Sequence, residues 1–316
     1  MSKDNKNPNP NPNPNPNENK NYKSIVQEYV KKNSSKRKTI NNLVTILLCS
    51  FVIIAIIPLG SILIEVFKNG AGALSLSFLF DPPGSMGSGD GGIGPAIQGT
   101  LLVVGFATLI GAPVGVLAGV FLSEYSSSSR LFAYFLRLFN DVLTGIPSIV
   151  IGIAGYITLV LTLGSFSILA GAFVLSVIMI PIIARVSEET LKLVPNTLRE
   201  AAYGLGLPKW KVVWHIVIKG SKSGILTGIV LAISRIAGET APLIMTILGT
   251  SLFFSGFNSP VDALPLRIWR LASQPYPSAH EQGWGAALLL ILLVLSLSIA
   301  LRMFAQKRSI TFKSTT

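Results

Sequence analysis

Apolar positions along this 316-residue chain gather into long uncharged blocks rather than short two-faced segments. Residues 43–64 carry no charge, with Thr45, Ser50 and Ser61 as polar interruptions. Residues 93–122 are also uncharged, and so is the whole interval 142–184. A helix needs about 20 apolar residues to cross a hydrocarbon core of about 30 Å. As one helix, 142–184 would run about 65 Å, twice that depth, so it divides into two spans. Gly164-Ser165 is the natural turn between them. The pattern predicts six spans, over 43–64, 93–122, 142–163, 166–184, 224–249 and 284–301.

The ends read differently. Asn and Pro alternate from Asn7 to Asn17, a composition that forms no core. Tyr22, Ile25, Val26, Tyr29 and Val30 then stand at helical spacing, and a basic run follows from Lys31 to Lys38. This stretch suits either a short helix on an anionic membrane face or a solvated lead-in to the first span. Residues 1–39 are expected to form an Asn/Pro-rich, basic, disordered tail and 306–316 a second, short basic tail. No apolar stretch near the start resembles a signal peptide.

Composition fits a membrane protein. Mean hydropathy is +0.59, and 13% of residues are charged, about half the share of a soluble domain. The net charge of +12 could suggest nucleic acid, but its placement argues otherwise. With the N-terminus in the cytoplasm, 22 of the 26 Lys and Arg fall in the two tails and in the loops after spans two and four. Only Lys68, Arg267 and Arg270 fall on the far side, and Arg235 lies within a span. The positive-inside rule therefore places both termini in the cytoplasm, with the basic residues facing anionic headgroups. Cys49 is the one cysteine, and His215 and His280 are far apart in sequence, so the chain shows no metal-binding pattern. It has no GxxxxGK[ST] phosphate loop either.

The loop after the fourth span carries a signature. Pro195 precedes Glu200-Ala201-Ala202 in a strongly helix-forming context, Gly204 and Gly206 can end that helix, and Pro208 can open another. The result would be a helical hairpin projecting from the membrane, either a dock for a partner or an ordinary solvated turn. Glu200-Ala201-Ala202, three residues and then Gly206 resemble the EAA loop of ABC importer permeases. That pattern continues with Ile-x-Leu-Pro, where this chain has Ile216-Val217-Ile218-Lys219. Gly94-Pro95-Ala96-Ile97, Gly145-Ile146-Pro147-Ser148, Leu191 to Pro195 and Arg235-Ile-Ala-Gly-Glu239-Thr-Ala-Pro242 narrow the resemblance to PstA-type phosphate permeases, over roughly residues 40–305.

The resemblance implies an all-α type I importer permease of the MetI-like fold in a bacterial inner membrane. It implies a sister permease (PstC type), ATPase subunits (PstB type) that bind ATP and Mg, and a periplasmic phosphate-binding protein (PstS type). The chain itself would hold no cofactor and would not be an enzyme. Glu200, Ala201, Ala202 and Gly206 would meet the ATPase. The sister subunit shares this plan, and composition does not separate phosphate from phosphonate, sulfate or molybdate. An intramembrane enzyme would need a nucleophile with a base, or a metal, at membrane depth, and no histidine lies in a span. A stand-alone channel would have no use for an ATPase dock.

Arg235 and Glu239, four residues apart, are expected on one face of the fifth span near mid-membrane. Charges there are costly and face the bundle interior or a polar path. A guanidinium offers forked donors to phosphate oxygens, and Glu239 would orient it and keep it from trapping the anion. The bland reading is a neutralising pair that holds the bundle. Arg185 ends the expected fourth span as an exit contact or a snorkelling cation. Asp141 reads as the cap opening the third span.

Overall fold

The computed structural model describes residues 16–85, 87 and 89–306. The chain divides into two units, Met1–Ile64 and Glu65–Thr316. The first is formed by helix α1 (Pro16–Gly70), which runs on into the second unit. No Pro or Gly interrupts residues 17–57, so nothing local stops this helix before Pro58. Within the apolar run, Thr45 and Ser50 donate to the Asn41 and Ile46 carbonyls at 2.8 and 2.9 Å, which satisfies their hydroxyls locally. Of the tail expected over 1–39, residues from Pro16 onward are helical, and residues 1–15 lie outside the described residues, as do 307–316 of the second tail.

The second unit is also helical. Helix α2 (Leu76–Phe80) is capped by Ser75, whose Oγ accepts from the Phe78 amide. Helix α3 (Gly94–Val120) continues through a π-helical turn, Phe121–Tyr125. Helices α4 (Arg130–Gly145) and α5 (Ser148–Gly155) follow, then a π-helical turn and α6 (Leu161–Leu163). Gly164 turns the chain at φ +70°, where it was expected to turn, and Ser167 caps α7 (Ile168–Lys192). Next come α8 (Asn196–Gly204), α9 (Lys209–Val212), the π-helical turn Val213–Val217 and α10 (Ile218–Ile236). The chain closes with α11 (Ala241–Thr246), α12 (Leu264–Ala272) and α13 (Pro277–Gln306).

Among the described residues, five helices are long and apolar enough to span a membrane: Arg37–Ala73, Gly94–Tyr125, Ile168–Lys192, Lys209–Ile236 and Pro277–Met303. A sixth candidate is the pair Arg130–Gly145 and Ser148–Leu163, bent by 102°. The six expected spans therefore each have a counterpart, with two corrections. The third does not begin as a straight span at 142, because the extended backbone of Ile146 before Pro147 breaks it. The fifth does not continue to 249, because α10 stops at Ile236. A continued helix would drive the Pro242 ring into the Gly238 carbonyl and leave that carbonyl without its donor.

Helix α7 is the hub. Ile168, Leu175, Met179 and Ile183 on it are fully buried and cluster with Val103 and Ala107 of α3, Ala232 and Ile236 of α10, and Ile247 just past α11. In lipid no hydrophobic gain distinguishes a helix neighbour from a lipid tail, so association depends on close van der Waals packing. The α3–α7 seam achieves it with glycine at every fourth position. A Cβ at Gly111, Gly115 or Gly119 would lie 2.5, 2.8 and 2.5 Å from Met179, Ile183 and Ser187 respectively. Gly224 against Thr190 and Gly228 against Val186 do the same for α10 and α7.

Candidate functional site

The two broken helices brace one another. Gly152 of α5 sits where a Cβ would be 2.6 Å from Pro242 Cα of α11, and Gly155 meets Thr246 and Val174. The Gly145-Ile-Pro-Ser148 break and the Arg235-to-Pro242 break thus belong to one packed junction. Irregular backbone at membrane depth is tolerated only where protein covers it or a polar path runs beside it.

Arg235 occupies the last turn of α10, and Glu239 lies beyond the helix in the turn before α11, not on a continuous helical face as expected. The amides of Gly238 and Glu239 donate back to the carbonyls of Arg235 and Ile236, at 3.2 Å each. This tight turn brings the pair together all the same, with Arg235 Nε 3.7 Å from Glu239 Oε1. The separation is too long for a hydrogen bond. The Arg235 side chain is 56% exposed and that of Glu239 15%, and the Arg235 side chain donates no hydrogen bond among the described residues. Its charge sits near α10's carbonyl end, which the helix dipole favours.

Arg185 does not end its helix. Helix α7 runs on to Lys192, and Arg185 lies 3.8 Å from Asp141 and 3.5 Å from Glu189, all three well exposed. Asp141 lies inside α4 and pairs with Arg185, so it is not a cap. Gly224 meets Thr190 and Gly228 meets Val186, so α7 and α10 run antiparallel. Counting on from that register, Arg235 lies roughly 9 Å further along the helix axes than Arg185. No ion pair or hydrogen bond joins the two among the described residues.

The helical hairpin forms where it was expected, from α8 and α9, with Pro195 and Pro208 just before their first turns. Ala202 is buried with Val120, Leu191, Val212, Val213 and Val217, while Glu200 and Ala201 are exposed. Gly206 holds φ +76°, a left-handed conformation that costs a side-chain-bearing residue about 1–2 kcal/mol. Leu198, Tyr203, Leu205 and Trp210 leave apolar surface of the hairpin exposed.

Sequence reasoning missed what holds this hairpin. Arg199, read only as part of the basic loop, is nearly buried and donates to Glu124 Oε1 at 2.8 Å, 75 residues earlier in the π-helical turn after α3. It also donates to the Leu191 and Val194 carbonyls and to Asn196 Oδ1. Ser123 Oγ donates to the same Glu124 oxygen, and Lys209 Nζ lies 4.5 Å from the centre of the Tyr125 ring. Arg137 of α4 and Lys192 both donate to Glu188. Away from this end, Arg267 donates to Asp262 at 2.6 Å, and the other Asp262 oxygen has no partner among the described residues. Arg199–Glu124 and Arg137–Glu188 join residues 75 and 51 positions apart, which no local motif links.

Comparison with known proteins agrees with this architecture. A family model described as "Binding-protein-dependent transport system inner membrane component" matches residues 111–310. The chain is 42% identical over 272 residues, covering 86% of it and 96% of the relative, to the phosphate transport system permease protein PstA of Haemophilus influenzae. It is 39% identical to the protein of that name from Yersinia pestis, covering 90% and 96%. A probable PstA of Methanocaldococcus jannaschii is 35% identical, covering 79% and 88%. Among solved structures, a chain of a bacterial alginate ABC transporter matches with a TM-score of 0.59 at 14% identity, covering 91% of this chain and 98% of that one. A chain of the inward-facing MetNI methionine ABC transporter matches with 0.55 at 18%, covering 68% and 94%. At such identities these two likenesses speak for the fold alone.

Proposed function

The chain belongs to the binding-protein-dependent transport system inner membrane components, among the PstA-type phosphate permeases, and on that premise we propose that Arg235 is the phosphate contact of a multi-pass translocation subunit. The observation that carries this reading is the α10 break, which leaves a guanidinium only loosely paired at 3.7 Å beside Glu239. Phosphate can displace the carboxylate and take two forked hydrogen bonds. Glu239 then takes the guanidinium back and releases the anion. Arg185, more exposed and closer to the basic end, receives phosphate on the way out.

The basic end of the bundle faces the cytoplasm, with both termini, as the positive-inside rule directs. The exposed Glu200 and Ala201, with the turn at Gly206, meet an ATPase subunit of the PstB type, which binds ATP and Mg and supplies the hydrolysis. A PstC-type sister permease completes the path, and a PstS-type binding protein delivers phosphate from the opposite face. The α3–α7 pair moves as one body between inward- and outward-open states that ATP and loaded binding protein favour differently.

Radiolabelled phosphate uptake into proteoliposomes holding the four-component complex tests this. Uptake that requires ATP and the binding protein, and that excess sulfate leaves unchanged, is expected. Entry of another oxyanion in place of phosphate would overturn the substrate, and uptake by this chain alone would overturn the assembly.

A further inference from the structure

We propose that Glu124 and Arg199 form a coupling strut through which the α8–α9 hairpin drives the α3–α7 pair. The inference rests on the reading of that hairpin as the ATPase contact.

A helix that ends leaves its last carbonyls without donors, and a nearby arginine often supplies them. Capping accounts for the Arg199 bonds to the Leu191 and Val194 carbonyls. It does not account for the reach to Glu124, where both side chains are nearly buried at 13% and 7% exposure. Nor does it account for where Glu124 sits. It lies in a π-helical turn, a rare insertion frequent at functional positions. The hairpin grips that one turn from both arms. Arg199 of α8 holds Glu124, and Lys209 of α9 stacks on Tyr125. The turn continues directly from α3, whose Gly111, Gly115 and Gly119 lock it to α7. Arg199 bonds to the last turn of α7 through Leu191 as well. A displacement of α8 therefore reaches both helices at once, through the charge-assisted bonds of Arg199.

Glu124→Gln tests the strut without dismantling the hairpin, because Arg199 keeps the Leu191, Val194 and Asn196 acceptors. In the reconstituted four-component complex, three quantities are read: ATPase subunits retained per permease, ATP hydrolysed in the presence of loaded binding protein, and phosphate moved per ATP. Glu124→Gln is expected to retain the ATPase subunits and the hydrolysis while phosphate moved per ATP falls about tenfold, the scale of a typical coupling between sites. Arg199→Gln added to Glu124→Gln also removes the Leu191 link to α7 and is expected to lower that ratio further. An unchanged ratio in Glu124→Gln overturns the strut. So does loss of the ATPase subunits from the complex, which would make the pair a fold element of the contact surface only. If the unaltered complex moves no phosphate in the same vesicles, it is the functional reading that fails, and hydrolysis with bound ATPase subunits still reports on the strut.

Discussion

Two Arg–Glu pairs contrast in this molecule. Arg199 holds Glu124 at 2.8 Å with both side chains nearly buried, and it also donates to two carbonyls and an amide oxygen. Arg235 stands 3.7 Å from Glu239 with more than half its surface open. A pair 3.7 Å apart with no hydrogen bond and its guanidinium more than half exposed is held weakly, so exchanging its carboxylate for another anion costs little. Removing one partner of a buried pair is far more disruptive, on the order of 3–5 kcal/mol when nothing else compensates. The same two residue types thus serve as an exchangeable contact in one place and a fixed link in the other.

Breaking the loose pair should have the largest effect. Arg235→Gln is expected to lower phosphate uptake roughly 10–100-fold, since a hydrogen bond to a charged group contributes about 1.5–3 kcal/mol. The uptake assay checks this, with subunit composition confirmed on the purified complex. Glu239→Gln acts on the other partner and sharpens the contrast. It removes the competitor for Arg235, so KM for phosphate and the maximal rate should both fall, about five- to tenfold. An equal rise in KM would mean that Glu239 helps bind the anion rather than release it. By contrast, Glu124→Gln should leave KM for phosphate unchanged, because its pair does not meet the anion.

Much of this was legible in advance. Blocks of uncharged residues located the spans, and Gly164, Pro195, Gly206 and Pro208 marked turns that each form, because such residues act locally. The end of α10 was not legible from hydropathy, since residues 237–249 are as apolar as a span, with Glu239 the one charge among them. Pro242 was the available signal, read as part of a motif rather than as a stop. Helix α4 ahead of the third span was not legible because it mixes Arg130, Arg137 and Asp141 with aromatics, a pattern that does not read as a span. Glu124 and Arg199 stayed hidden for a different reason. Only the α3–α7 seam brings them together, and nothing in a linear reading records that contact.

Smaller effects probe the frame around the two pairs. Gly119→Ala drives a methyl into Ser187 and the Ala184 carbonyl. Such overpacking costs about 1–3 kcal/mol, read as a lower Tm of the purified complex in detergent. The smallest expected effect is a pH slope. Burial pushes the Asp262 carboxyl up from its ordinary 3.8, with Arg267 opposing. A carboxyl raised on folding contributes stability that is complete below its unfolded value and is lost as pH rises through its folded one. Tm should therefore carry a falling component from about pH 4 upward, and Asp262→Asn should flatten it.

The most direct test of the central claim is phosphate uptake by the reconstituted complex carrying Arg235→Lys. Lysine keeps the charge beside Glu239 but offers a single ammonium instead of a fork. The forked contact predicts that uptake falls about tenfold or more with all subunits retained. Uptake at the rate of the unaltered complex would show that only charge matters there and would contradict the assignment of Arg235 as the phosphate contact.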